Sequence, residues 1–236
     1  NCNNPLGFIM PDERKRAVLS LAQRHDIAIF EDDIYGELAT EYPRPRTIKS
    51  WDIDGRVLLC SSFTKTIAPG LRVGWIAPGR YLDRVLHMKY AASGTSVPAT
   101  QLAAAAFIRD GHYHRHVRRM RQIYRHHMDT YTCWVRQYFP CGICVTRPQG
   151  GFMLWVELPA DVDMVCVARQ LCRMKILLAP GSLFSASGKY RNCLRLNCAL
   201  PLTEENRLAL QKMGEAVRIA MEESLSEDQG HLNAAQ

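Results

Sequence analysis

At 236 residues, the chain is long enough for one large domain or two small ones. It can bury roughly 70–75% of its unfolded surface without disulfide or metal staples. Apolar residues make up 47% and charged residues 22%, which argues against a disordered chain. The 30 Lys and Arg against 23 Asp and Glu leave a formal charge of +7, suited to anionic partners such as phosphates, carboxylates or nucleic acid without choosing among them.

The chain opens Asn1-Cys2-Asn3-Asn4-Pro5-Leu6-Gly7, with neither an initiator Met nor a basic-then-apolar leader, and reads as part of something longer. Pro11 to His25 places Val18, Leu19 and Ala22 on one helical face. Ile27-Ala28-Ile29-Phe30 is a short apolar run of the kind found in a strand covered on both faces, and Arg56–Cys60 and Val73–Ala77 are two more such runs. Tyr81 to Tyr138 reads as helical: an Ala-rich, buried-looking segment at Val97–Ile108 is followed by a long basic helix from His112 to Tyr138. Beyond Cys141 the pattern is α+β, with strands near 143–146, 152–157, 176–178 and 193–198 and a helix near 161–174. A last helix starts at the cap Thr203 with an apolar stripe of Leu210, Met213, Val217, Ala220 and Met221, before a polar, frayed tail from Ser226 to Gln236. The longest uncharged stretch, Ala91–Ile108, is broken by polar residues and is no membrane span. The predicted fold class is α/β, with a domain boundary near residue 115.

The nine cysteines are scattered and odd in number, the usage of a reduced, cytoplasmic protein in which Cys fills the core. Only Cys141-Gly142-Ile143-Cys144 has redox or zinc spacing, and no second ligand pair accompanies it, so no metal site is expected.

The most informative stretch is Ser61-Ser62-Phe63-Thr64-Lys65-Thr66-Ile67-Ala68-Pro69-Gly70-Leu71-Arg72. A strand ends in hydroxyls, a lysine follows among small and apolar neighbours, and an arginine enters the next strand. A lysine in such surroundings is a candidate for Schiff-base chemistry, against the plain alternative of a surface loop lysine. Ser62-x-x-Lys65 matches the S-x-x-K of penicillin-binding enzymes, but S-D-N and K-T-G are missing; Lys65-Thr66 resembles a P-loop end without its glycines. Upstream, Phe30-Glu31-Asp32-Asp33-Ile34-Tyr35 sets three carboxylates at the end of a strand, where α/β proteins bind ligands. Asn4-Pro5-Leu6-Gly7 places an amide before a tight turn.

These stretches resemble the fold-type I pyridoxal 5'-phosphate (PLP) aminotransferases. Asn-Pro-x-Gly, Asp-x-x-Tyr, Ser-x-x-Lys with a downstream Arg, and Arg195-Leu196-Asn197 stand in the family's order. Glu31-Asp32-Asp33-Ile34-Tyr35, Ala68-Pro69-Gly70-Leu71-Arg72 and the Arg118-Arg119-Met120-Arg121 helix are similar to the aminotransferase-like domain of MocR-type regulators of the GntR family, which carry a DNA-binding winged helix. Aminotransferases of the 2-aminoadipate and aromatic type share much of this pattern, and the motifs do not choose between the two.

The resemblance implies roles position by position. Lys65 holds PLP as a Schiff base and shuttles a proton. Asp32, preferred to Asp33 for its spacing to Tyr35, pairs with the pyridine nitrogen. Tyr35 and Asn4 bond the ring's phenolic oxygen, Ser62 and Arg72 the phosphate, and Arg195 a substrate α-carboxylate. Residues 1–115 correspond to the C-terminal portion of the large PLP-binding domain, with part of its mainly parallel sheet, and 116–236 to the small α+β domain. The implied full-length protein is a homodimer that senses an amino acid or amine and meets DNA through a segment outside this chain. The family's upstream phosphate-cradling turn and ring-stacking aromatic precede Asn-Pro-x-Gly, so the isolated chain is expected to bind PLP weakly or not at all.

Two features stand outside that scheme. The run from His112 through Arg121 to Arg125-His126-His127 has no acid between Asp110 and Asp129. It could grip nucleic acid, but Val117, Met120, Ile123 and Tyr124 at helical spacing favour a solvated helix face, and the alternating His112, His114 and His116 do not converge on a helix. Gly150-Gly151-Phe152 and Pro180-Gly181-Ser182 read as ordinary glycine turns.

Overall fold

The computed structural model describes residues 1–234, and the side chains as far as Glu223. The chain divides into two compact units: residues 1–3, 8–123 and 149–151 form the first, and 4–7, 124–148 and 152–236 the second.

The first unit starts with α1 (Asp12–Arg24), whose acidic first turn and basic last turn both complement the helix dipole. Its buried stripe is Lys15, Leu19 and Ala22, while Val18 is 38% exposed. Lys15 is tolerated there because its ammonium donates to Asn1 Oδ1 at 2.7 Å and to the Arg46 carbonyl at 2.5 Å. Three strands follow: β1 (Ile29–Asp32), β2 (Val57–Ser62) and β3 (Gly74–Ala77). β1 and β2 are parallel, with Asp32 opposite Cys60, whereas β3 returns antiparallel on the other side of β2. Leu19, Ile48 and Val57, with Ile29 and Trp51, form the core against one sheet face. The other face is open at β1, where Phe30 is 74% exposed, so this strand is not covered on both sides.

The loop into β2 is tied down by Asp52, which accepts from Arg56 N at 3.0 Å, Val57 N at 2.9 Å and Lys49 Nζ at 2.9 Å. Arg56, also buried, donates to the Ala22 carbonyl at 2.8 Å and the Ile27 carbonyl at 3.1 Å, which holds the end of α1 to the start of β2. Two helices, α2 (Leu82–Ser93) and α3 (Pro98–Arg109), then lead into α4 (His112–Tyr138). The Ala-rich α3 buries only Ala104; Val97 and Leu102 are exposed. Alanine here supplies helix propensity, not burial.

The second unit is a four-stranded antiparallel sheet ordered β4 (Cys144–Val145), β5 (Met153–Glu157), β7 (Cys193–Asn197), β6 (Ala179–Pro180). Leu154, Val156, Leu194 and Leu196 pack with Met128, Tyr131 and Val135 of α4, with Met164, Val167 and Leu171 of α5 (Met164–Arg173), and with Leu210, Met213 and Val217 of α6 (Glu204–Ala234). Asp163 caps α5 by accepting from Val165 N, and Thr203 caps α6 by accepting from Asn206 N. Helix α6 runs on through Ser226, where the sequence suggests a frayed tail; Ala235 and Gln236 lie outside the described residues.

The cysteines follow the core-filling expectation only at Cys2, Cys193 and Cys198, which are buried; Cys133, Cys141, Cys144, Cys166 and Cys172 are exposed thiols. Among the described residues no group of His, Cys, Asp and Glu could hold a metal ion, and no helix is long and apolar enough to cross a membrane.

Two stability outcomes follow from this packing. Burial by itself raises the Asp52 carboxyl, but its bonds to Lys49 and to the Val57 and Arg56 amides outweigh that and lower it from 3.8 to about 2. Its stabilisation is therefore present above about pH 4 and is lost as pH falls toward 2. Asp52→Asn is expected to cost about 2 kcal/mol at neutral pH, a gap that closes on acidification in urea titrations. At Gly214, a Cβ would lie 2.3 Å from the Tyr138 carbonyl oxygen. Gly214→Ala should therefore lower the unfolding free energy by about 1–3 kcal/mol, read as a lower urea midpoint, although alanine is the better helix former.

Candidate functional site

The three consecutive acids at the end of β1 do different work because a strand alternates its faces. Glu31 points to the covered side, where Oε1 accepts from Ile48 N at 2.7 Å and Oε2 from Lys49 N at 2.9 Å. Asp33 is 1% exposed; it accepts from Asn1 Nδ2 at 2.7 Å and pairs with Arg44, whose Nε also lies 3.0 Å from Glu37 Oε1. Asp32 points the other way, exposed, and its carboxylate accepts only from the backbone N–H of Ile34, at 3.2 Å. Of the three, Asp32 alone is left for a ligand.

The corner after β1 is pinned from both sides. Asp33 N donates to the Cys60 carbonyl at 2.9 Å, and Ser61 Oγ donates to the Asp33 carbonyl at 3.2 Å. Gly36 passes so close that a Cβ would lie 2.5 Å from the Asp33 carboxylate. Tyr35 is thereby buried, at 6% exposure, three residues from Asp32.

Next to it, β2 ends at Ser62, and the chain closes a tight loop in which Ile67 N and Ala68 N both donate to the Phe63 carbonyl, at 2.8 and 3.3 Å. Tyr113 of α4 anchors this loop: its ring meets Phe63 edge-on at 5.7 Å, and its hydroxyl donates to Thr66 Oγ1 at 3.4 Å. Lys65 sits half-buried in the loop. Arg72 follows in left-handed backbone, φ 51° and ψ 33°, just before Phe63 N bonds the Val73 carbonyl at 3.0 Å. Among the described residues the Ser62 hydroxyl, the Lys65 ammonium and the Arg72 guanidinium have no hydrogen-bond or ion-pair partner. The first unit thus brings a free carboxylate, a tyrosine, a hydroxyl, an amine and a guanidinium to the carboxyl ends of two adjacent parallel strands. This donor set fits PLP: amine for its aldehyde, carboxylate for its ring nitrogen, hydroxyl and guanidinium for its phosphate.

Within the second unit, Asn4 and Arg195 meet. Arg195 Nη1 donates to Asn4 Oδ1 at 3.2 Å, although the two residues are 191 positions apart. The Arg195 guanidinium lies 5.3 Å over the Phe184 ring, which packs edge-on against Trp155 at 5.6 Å. Arg195 also lines an open cavity of ≈ 820 Å³ with Tyr131, whose buried hydroxyl lacks a partner among the described residues and whose pKa burial pushes up to about 12. The motif order signals Asn4 and Arg195 separately; their contact, the Tyr113 anchor and the Arg44 partner of Asp33 carry no sequence signal at fixed spacing. The glycine pairs prove to be sites of close approach: a Cβ on Gly150 would lie 2.6 Å from the Leu38 carbonyl oxygen, and one on Gly181 2.3 Å from that of Tyr190.

The fold is that of PLP-dependent aminotransferase-like proteins. The chain belongs to the aminotransferase class I and II family, which it matches over residues 1–213. It is 77% identical over 222 residues, 94% of this chain, to the HTH-type transcriptional regulator YjiR of Escherichia coli (strain K12), covering 47% of that protein. It is 29% identical to aromatic-amino-acid aminotransferase 1 of Thermococcus litoralis, covering 92% of this chain and 52% of that one. The multiple substrate aminotransferase of Thermococcus profundus superposes with a TM-score of 0.85 at 27% identity, over 94% of this chain and 56% of that one. The kynurenine aminotransferase of Pyrococcus horikoshii, solved in complex with PMP, superposes with a TM-score of 0.83 at 27% identity, over 92% and 54%. The chain spans about half the length of the curated relatives it matches.

The division of labour among the acids is measurable in unfolding titrations. Asp33→Asn is expected to cost about 1–3 kcal/mol, since Arg44 loses its buried partner but keeps Glu37, whereas Asp32→Asn should stay within about 0.5 kcal/mol.

Proposed function

We propose that this chain is the aminotransferase-like PLP-binding effector domain of a MocR-type, GntR-family transcription regulator that senses an amino acid or amine. The observation that carries the cofactor half is the release of Asp32 from the buried acid network at the same strand ends that lead to Lys65. The regulator half is supported by the 77% identity to an HTH-type transcriptional regulator. Residues 1–115 are read as the C-terminal portion of the large PLP-binding domain and 116–236 as the small domain. DNA recognition is assigned to a winged-helix part of the full-length protein, which is read as a cytoplasmic homodimer.

When bound, PLP supplies an electron sink that stabilises negative charge beside an amine nitrogen. Lys65 would hold the cofactor covalently, and its free amine would take up or return a proton at the ligand's α-carbon. The Asp32 carboxylate would keep the ring nitrogen protonated. Tyr35 and Asn4 would hydrogen-bond the ring's phenolic oxygen, and Ser62 and Arg72 would bind the phosphate, arginine through charge-assisted bonds. Arg195 orients a ligand carboxylate with the paired N–H geometry that lysine lacks.

A working aminotransferase is the second reading, favoured by the likeness to the Thermococcus litoralis enzyme. Sustained turnover of an amino acid with a 2-oxo acid by the full-length protein would select it over a sensor.

The cofactor assignment is tested by incubating the full-length protein with PLP, reducing with borohydride and mapping the product by mass spectrometry. One phosphopyridoxyl group is expected on the peptide containing Lys65, and none in Lys65→Ala. Arg72→Ala should raise the PLP concentration needed by roughly 10- to 100-fold, the loss of a charged hydrogen bond. Equal labelling of Lys65→Ala would remove Lys65 from the site.

A further inference from the structure

The basic run of α4 is left unused by the cofactor site. His112, Arg115, Arg118, Arg119 and Gln122 recur at helical spacing on one face, and all five are exposed. The opposite face holds the helix in the first unit: Val117 is 2% exposed, Tyr113 anchors the Lys65 loop, and Arg121 Nε donates to the Glu37 carbonyl at 2.6 Å.

On the outer face three unpaired arginines stand together within one turn of helix. Arg44, Arg56, Arg80 and Arg121 of the same unit each bond a carboxylate. Arg115, Arg118 and Arg119 have neither hydrogen bond nor ion pair with any described residue. They sit three and four residues apart, where like charges on a helix repel. They also lie in the N-terminal half of α4, so the helix dipole adds to their field in place of offsetting it. No acid occurs in the sequence from Gly111 to Met128 to neutralise them.

A polyanion relieves both the mutual repulsion and the dipole, and the composition of the face narrows which one. It has no Trp, Tyr, Phe or Met, the apolar anchors of protein interfaces and the stacking platforms for single-stranded nucleic acid. Three guanidiniums spread over one helical turn, about 6 Å, match a dense row of phosphates, which duplex DNA presents at one charge per roughly 1.7 Å. We propose that this face of α4 is a sequence-independent contact for the phosphate backbone of duplex DNA, additional to whatever segment reads the operator. The choice of DNA among polyanions rests on the regulator reading; the contact itself does not require PLP.

The test is fluorescence anisotropy of a labelled random-sequence duplex titrated with the 236-residue chain at several salt concentrations. Binding with a steep salt dependence is expected. Arg115→Gln/Arg118→Gln/Arg119→Gln should reduce the log–log salt slope by about 2.7, three phosphates at ~0.9 each. The triple Lys variant should keep the slope, and far-UV circular dichroism should show unchanged helix in both. DNA binding should be the same with and without added PLP, so failure of the cofactor reading registers separately. Absence of binding at about 50 mM salt, an unchanged slope in the triple Gln variant, or equal competition by polyglutamate of matched charge would overturn the proposal.

Discussion

The site depends on how β1 disposes of three adjacent carboxylates. Acids placed together at a strand end repel, and burying an unpaired one is prohibitive. The pleat resolves the conflict by sending Glu31 and Asp33 to the covered face and Asp32 to the open one. Glu31 caps the start of a short helical turn through the Ile48 and Lys49 amides, and Asp33 is neutralised by Arg44 and bonded by Asn1. A one-residue slip of β1 against β2 would exchange the roles and bury Asp32 without partners. The register Asp32 to Cys60 thus decides which of the acids stays open as well as how the strands pair.

The lysine loop is governed by the same corner. Asp33 binds β2 through the Cys60 carbonyl and Ser61 hydroxyl, which sets where Ser62 ends and the Lys65 loop begins. Its own closure onto the Phe63 carbonyl and its anchor on Tyr113 leave Lys65 with little backbone freedom. Arg72 accepts a left-handed backbone, a conformation that costs a non-glycine residue of order 1 kcal/mol. Such strain at a candidate phosphate ligand accords with a position selected for its side chain, since glycine would suit the backbone better.

In the second unit, Arg195 is placed by β7 at the centre of a sheet whose inner face carries Leu154, Val156, Leu194 and Leu196. Alternation again turns Arg195 away from that core, toward Phe184 and Asn4. The contact occupies part of the Arg195 guanidinium with the amide of Asn4. The two motifs at the extremes of the sequence are therefore one polar pair in the folded unit.

Much of this was legible in the residues. Apolar runs separated by turn residues located the strands to within two or three positions, helical spacing located α1, α4 and α6, and four ordered motifs pointed to the family and its candidate residues. The resemblance's Asp-x-x-Tyr pattern singled out Asp32 over Asp33. Burial was less legible: Phe30 and the Ala-rich α3 look like core but are largely exposed, and five of nine cysteines are surface thiols, because an apolar side chain is buried only where another element reaches it. The pairing of Asp33 with Arg44, the Tyr113 anchor and the unpaired row of α4 arginines were out of reach for the same reason. By itself the sequence determined which chemical groups this protein carries and on which elements, since local periodicity and turn chemistry act over a few residues. Only the tertiary structure decided which of those groups are consumed in holding the fold and which are left free, because that depends on partners brought close from distant parts of the chain.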